Sequence, residues 1–223
     1  MKPRISVVVC TKNSESTLDL TLSSISRLNP FEIIIIDGGS KDKTLEIAKK
    51  YTRRIYSDNG KGLAYARQMG AVLARGDYVL YLDSDVEVND PLFFERLLGE
   101  MERRNWIAVH PQVKSLSKNG LWEDGVDFYF SMKFNIPGEH RYLPLMACMI
   151  KRDVLLEISF DVRFKGAGED HDFWARAFQN GYRFGVARCC WVFHHHRSSF
   201  KEFVKQRIWY GRGNVLLFSK YRD

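Results

Sequence analysis

The chain has 223 residues, 45% apolar and 27% charged, the make-up of an ordinary globular protein with one substantial core. No apolar run reaches the roughly 18 residues of a membrane-spanning helix. The basic start, Met1 to Arg4, leads into a strand-like run with no secretory h-region or cleavage site, so a cytoplasmic protein is expected.

The first half alternates strand and helix signals. Ile5 to Cys10 is a β-branched run with the length of a buried strand. Asn13 or Ser14 can cap a helix through Leu18, Leu22, Ile25 and Leu28, spaced by three or four. Phe31 to Ile36 is apolar throughout but for Glu32 and stops at Asp37-Gly38-Gly39. Continuous rather than alternating apolarity marks a strand covered on both faces, hence a parallel sheet. A helix over Asp42 to Tyr51, a strand at Ile55 and Tyr56, a small-residue helix over Leu63 to Ala74 and a strand over Tyr78 to Leu82 follow. Pro91 opens a helix to Arg103, and Trp106 to Val113 is a fifth strand.

The second half is less regular. Leu121 to Phe134, broken by Asp124-Gly125, reads as a hairpin or an irregular loop. Tyr142 to Ile150 reads as a strand, Lys151 to Ile158 as a short helix, Phe164 to Gly168 as a glycine-bearing loop, and Glu169 to Asn180 as a helix stopped by Gly181. Phe184 to Ala187 and Cys190 to Phe193 are strand-like, and Ser198 or Ser199 caps a last helix with Phe203, Arg207 and Tyr210. Cys10, Cys148, Cys189 and Cys190 form no CxxC pair and are read as reduced structural thiols.

Strand and helix alternating in this way predict a doubly wound α/β sheet, with ligands bound off the carboxyl ends of its strands. Three segments fall at that edge: Thr11 to Asn13, Asp37 to Ser40, and Asp83 to Asp85. Two carboxylates one residue apart at a strand exit, Asp83 and Asp85, can turn together toward a hard divalent cation such as Mg2+ or Mn2+. In isolation the triplet reads first as a capped turn; its place after the fourth strand of an α/β half favours the metal reading. Asp37 can accept from a base N–H or a ribose hydroxyl, and Gly38 and Gly39 permit a tight turn and close backbone approach. Glu169 and Asp170 lie at a helix N-terminus, where carboxylates complement the dipole or serve as a general base with its neighbour. In His194-His195-His196, strand alternation puts His194 and His196 on one face, and imidazole suits a metal or a diphosphate.

Taken in order, these segments resemble the family 2 glycosyltransferases: Val7 to Asn13, then Ile36 to Thr44, then Gly62 to Arg67, then Gly76 to Asp85, then Gly168-Glu169-Asp170-His171-Asp172-Phe173. The resemblance implies a GT-A fold, a Rossmann-like, mostly parallel sheet with helices on both faces and a smaller mixed acceptor-side region. Residues 1–113 would form the nucleotide-sugar-binding half. Residues 114–223 would carry the acceptor site, the catalytic base and a basic-aromatic C-terminal helix, in one continuous domain. It implies that Thr11, Asn13 and Glu15 line the nucleotide pocket, that Asp37 contacts the base, with Gly39 in its loop, and that Arg67 supports the diphosphate or base side. Asp83, with Ser84 beside it, would face ribose or metal, Asp85 would bind Mn2+ or Mg2+, His194 would be a metal or diphosphate ligand, and Asp170, flanked by Glu169, would be the base. Cys10, Lys12 and Gly38 depart from the common pattern, and Gln206-Arg207-Ile208-Trp209 lacks the spacing of processive synthases.

The expected reaction is a single-displacement, inverting transfer from a nucleoside-diphosphate sugar, a UDP-sugar being favoured, to a glycan or lipid-linked acceptor. From Arg188 onward there are eight Lys or Arg against two acids. This excess leaves peripheral contact with an anionic membrane surface open as an addition or an alternative. A nucleotidyltransferase is the rival enzyme, but Cys10 to Ser16 has no glycine for its phosphate loop. The basic residues form no nucleic-acid reader motif, so no nucleic-acid partner is expected.

Overall fold

The computed structural model describes residues 3–116, 125, 128–129, 131–195 and 200–222, with the side chains of the last helix described in part. Its centre is a nine-stranded sheet of order β3-β2-β1-β4-β8-β6-β9-β5, with β7 paired to β9. β1 (Ile5–Thr11), β2 (Glu32–Asp37), β3 (Ile55–Ser57) and β4 (Tyr78–Leu82) make a parallel half. β5 (Val86–Glu87), β6 (Ala108–Ser115), β7 (Gly138–His140), β8 (Ala147–Lys151) and β9 (Phe184–His194) make a mixed half, joined to the first by the antiparallel pair β4 and β8.

The continuous apolar runs exist because both sheet faces are covered. Alternation sends Val7, Val9, Ile33, Ile35, Leu80 and Leu82 to one face. There they meet α1 (Leu18–Ser26) and α4 (Phe93–Arg104) through Leu18, Leu22, Ile25, Phe93 and Leu97. Val8, Ile34, Ile36, Val79 and Tyr81 go to the other face. They meet α3 (Leu63–Leu73), α5 (Arg152–Ile158) and α6 (Glu169–Gln179) through Ala66, Val154, Phe173 and Trp174. α2 (Thr44–Ala48) follows β2, and α7 (Phe200–Lys220) ends the described chain. No helix among the described residues is long and apolar enough to cross a membrane.

Several boundaries differ from the sequence reading. Neither Asn13 nor Ser14 caps α1, which starts at Leu18 behind Thr17 with no side-chain cap. Ser14 instead gives its carbonyl to the Thr17 and Leu18 amides, and Asn13 takes a left-handed φ of 51° in the preceding turn. The expected strand from Tyr142 starts only at Ala147, because Leu143 and Leu145 are buried outside the ladder. The Leu143 carbonyl accepts from Trp174 Nε1 at 2.7 Å. The two expected strands after Phe184 are one, β9, which runs beside β6 with a register shift between His110 and Gln112. In 121–134, expected to be a hairpin or an irregular loop, the described residues 125, 128–129 and 131–133 are helical; the other half of that stretch, the cap candidates Ser198 and Ser199, and His196 lie outside the described residues.

Candidate active site

Register places the functional loops. Thr11 pairs with Asp37 and Asp37 with Ser57, so β1, β2 and β3 end level. β4 ends at Leu82 in the same parallel set, and the Asp83 amide donates to the Met146 carbonyl at 2.8 Å. The loops after β1, β2 and β4 therefore open on one edge, as the alternation predicted.

The first two loops are bonded to each other. Asn13 Oδ1 accepts from the Lys41 amide at 2.8 Å, and Glu15 Oε2 from the Lys43 amide at 3.0 Å. The Asn13 amide donates to Ser40 Oγ at 2.8 Å. Asp37 is buried in the second loop and accepts from the Gly39 amide at 3.0 Å, the Ser40 amide at 3.1 Å and the Ser40 hydroxyl at 2.5 Å. Gly39 has φ +82°, which a side chain would strain. Asp37 thus builds its own turn, in addition to any ligand it meets. Ser14 and Ser84 hydroxyls lie 2.9 Å apart, tying the first loop to the Asp-Ser-Asp turn.

The carboxylates converge through Arg67. This buried arginine on α3 pairs with Glu169 and, at 3.7 Å, with Asp83. Its neighbourhood is held by Tyr81, whose hydroxyl donates to the Arg67 carbonyl at 2.8 Å. Burial pushes the Glu169 carboxyl up to about 7 against the pull of Arg67, with the Asp170 charge adding to the rise. Among the described residues, buried Thr11 Oγ1 and Glu169 Oε2 have no hydrogen-bond partner. Enclosure also raises Asp83; Arg67 opposes the rise, and Asp85 increases it.

Asp170 is tuned in the other direction. Burial disfavours its charge, but the hydrogen bond from His171, the Arg67 charge and the Tyr142 hydroxyl outweigh it, so its carboxyl sits below the usual range. Tyr142 donates to Oδ2 at 2.6 Å, and the His171 amide to Oδ1 at 2.8 Å. The Tyr142 and His171 rings stack with centroids 4.0 Å apart. Both acids start α6, where the dipole favours negative charge, and Gly168 makes the entry with φ +100°.

His194 reaches the same region because β5 pairs Val86 with His194. That two-residue strand folds the Asp-Ser-Asp turn back on the end of β9. His194 Nε2 lies 3.3 Å from Asp85 Oδ1, while His195 points to the other side and meets Glu87 at 2.6 Å. Among the described residues, no three His, Cys, Asp or Glu side chains close on one point to cage a metal. Asp85 with His194, and the partly exposed Asp83 beside them, fit a cation whose other ligands are diphosphate and water, the usual manner of Mg2+. The sequence reading missed Tyr142 and the strand β5; neither carries a periodic signal, since both act through where the fold puts them.

The parallel half with an acid-lined edge, extended by a mixed half, is the GT-A architecture of glycosyltransferases. Residues 6–159 match the family described as Glycosyl transferase family 2, and the chain belongs to that family. It is 39% identical over 98 residues to the cholesterol galactosyltransferase of Borreliella burgdorferi, covering 41% of this chain and 27% of that protein. S. aureus TarS 1-349 in complex with UDP-GlcNAc superposes with a TM-score of 0.69 at 21% identity, over 88% of this chain and 59% of that one. Glucosyl-3-phosphoglycerate synthase from Mycobacterium tuberculosis, in complex with Mn2+, UDP and glucosyl-3-phosphoglycerate, gives 0.69 at 20% identity, over 98% and 80%. The chain spans 27% to 52% of the length of the first named relatives that it matches.

Proposed function

We propose that the chain transfers a sugar from a nucleoside-diphosphate sugar, with UDP favoured, to an acceptor hydroxyl or phosphate with inversion at the anomeric carbon. One observation carries the reading: Arg67 pairs with both Asp83 and Glu169, so the Asp-Ser-Asp turn and the ionised Asp170 share one buried cation. The two solved structures above, which hold UDP or UDP-GlcNAc, support the donor class.

In this reading the Thr11 to Glu15 and Asp37 to Ser40 loops hold the nucleoside, with Thr11, Asn13, Glu15, Asp37 and Gly39 lining it. Arg67 and Ser84 stand on the diphosphate side. Asp85 with His194 and Asp83 would hold Mg2+ or Mn2+, which supplies charge neutralisation for the leaving diphosphate. Asp170 takes the proton of the acceptor hydroxyl as that oxygen attacks from the face opposite the diphosphate. Tyr142 and His171 fix the carboxylate in place, and Glu169 anchors Arg67 below it. The rest is positioning within an enclosed cleft. Residues 114–223 supply the acceptor side. Ile208 and Val215, exposed on α7 with Arg207, favour peripheral contact with an anionic membrane surface as a second feature.

The test is calorimetric titration of UDP, GDP, CDP and dTDP with and without Mn2+, on wild type, Asp85→Ala and Asp170→Asn. Metal-dependent binding of one nucleotide is expected, lost in Asp85→Ala and kept in Asp170→Asn, which no longer transfers sugar. Transfer by Asp170→Asn at the wild-type rate would sink the base assignment, and no nucleotide binding by folded wild type would sink the donor site.

A further inference from the structure

The end of α7 carries an apolar stripe that the transfer chemistry does not use. Asn214, Leu217, Phe218 and Tyr221 fall at i, i+3, i+4 and i+7, one face of a helix. Together with His171 and Ala175, one turn apart on α6, they line a groove of about 460 Å3. Small-molecule sites occupy roughly 300–1,000 Å3. The Tyr221 hydroxyl turns out of the groove and donates to Asp172 at 2.8 Å. The polar side chains left in the lining are therefore Asn214 and His171, and His171 Nδ1 lies 3.1 Å from Asp170 Oδ1. Phe218 keeps 70% of its surface in water and forms the apolar wall of the groove with Leu217 and Ala175.

The groove is built, not incidental. A Cβ at Gly213 would run into the Ala167 carbonyl, so glycine lets α7 lie directly on the loop that leads to Glu169 and Asp170. At its far end, Lys220 pairs with Asp172 at 2.6 Å and with Asp161 at 2.8 Å. Asp172 is fully buried and also accepts from Arg176 at 2.7 Å. The two helices are thus locked at both ends of the groove.

We infer that this groove holds the apolar tail of an amphipathic acceptor and presents its hydroxyl head to Asp170. The inference rests on Asp170 being the base and names the acceptor class for that same site. The occupant follows from the lining. A free glycan would leave Ala175, Leu217 and Phe218 without partners and would find few hydrogen-bonding groups. An amphiphile satisfies both ends, apolar along the helices and polar at Asn214 and His171, the lining residue that touches Asp170. The named relative that acts on cholesterol is consistent with an apolar acceptor.

The full chain is titrated with n-hexyl, n-octyl and n-decyl β-D-glucoside, each below its critical micelle concentration. Binding should tighten about two- to fourfold per added methylene. Phe218→Glu, which places a charge on the wall, and Ala175→Leu, which fills the groove, should each weaken decyl glucoside by about tenfold or more. Near-UV circular dichroism identifies any variant that has not folded, and Ala175→Leu and Phe218→Glu serve as checks on each other. Affinity independent of chain length overturns the inference, as does a dependence that both folded variants retain. So does binding to phosphatidylglycerol vesicles without binding of monomeric glucosides, which would make α7 a membrane-facing helix. A concentration-dependent dimer that Phe218→Glu dissolves, with no glucoside binding, would assign the groove to a second copy instead. UDP with Mn2+ is titrated on the same wild-type sample. UDP binding without glucoside binding defeats the groove alone, whereas glucoside binding without UDP binding defeats the acceptor role through the donor site.

Discussion

Tyr142 donates its hydroxyl to Asp170 Oδ2 at 2.6 Å while its ring stacks on His171, the next residue along from that acid. A phenol from a loop before β8 is thereby built into the start of α6. It holds the carboxylate's direction and helps to keep it ionised despite burial.

Tyr142→Phe keeps the ring stack and removes that donor. A hydrogen bond to a charged group contributes about 1.5–3 kcal/mol, and about 1.4 kcal/mol corresponds to one pKa unit. The Asp170 carboxyl should rise, and the acid limb of the kcat/KM profile for transfer should move up by about one pH unit. A purely structural tyrosine would lower the whole profile without moving that limb, and such a result would refute the assignment.

Arg67 and Glu169 form a buried pair, 7% and 2% exposed at their side chains, with Asp83 on the second nitrogen. Removing one member of such a pair typically costs about 3–5 kcal/mol, because the other charge is left buried and alone. Arg67→Met should lose stability on that scale in urea denaturation. Adding Glu169→Gln to it should recover a large part, since the amide carries no charge to strand. A double variant no more stable than Arg67→Met would mean that the arginine matters through packing, not through the pair.

The parts of this molecule that were legible in its sequence are those where one physical demand dominates. Val7 to Val9 and Ile33 to Ile36 read as strands because both sheet faces are covered, so no polar alternation dilutes the signal. Asp83 and Asp85 could be placed at the carboxyl edge of the sheet because the apolar run of β4 ends immediately before them. The same logic misled at Leu143 and Leu145, which are buried by Trp174 and its surroundings without joining the ladder. It also split β9, because Arg188 and Cys189 are exposed within a continuous strand. β5 has two residues and no period to detect, yet it brings His194 to Asp85. Tyr142 gave no sign of its role, because Asp170 is 28 residues further along and only the fold joins them. Gly211 and Gly213 sit inside α7 against helix propensity; for Gly213 the compensating term is the close approach to Ala167.

His110 supplies a prediction independent of catalysis. It is fully buried in β6, with Nδ1 against the Pro111 carbonyl, and among the described residues its Nε2 has no hydrogen-bond partner. Burial pulls its pKa down from 6.5 to about 4; the Pro111 contact opposes this and the His140 charge adds to it. Above 6.5 the residue is neutral in both the folded and the unfolded chain and contributes no pH dependence. Below that value the unfolded chain takes up a proton that the folded chain refuses until about 4, so the native state loses stability as pH falls through this window. The loss is at most about 1.4 kcal/mol per pH unit. His110→Gln cannot titrate. The difference in unfolding free energy, wild type minus His110→Gln, should therefore fall steadily, becoming less positive or more negative, as pH drops from 6.5 to 4.5 in urea titrations, whatever its value at pH 7. Parallel curves across that range would show that His110 is protonated as readily in the folded protein as in the unfolded chain.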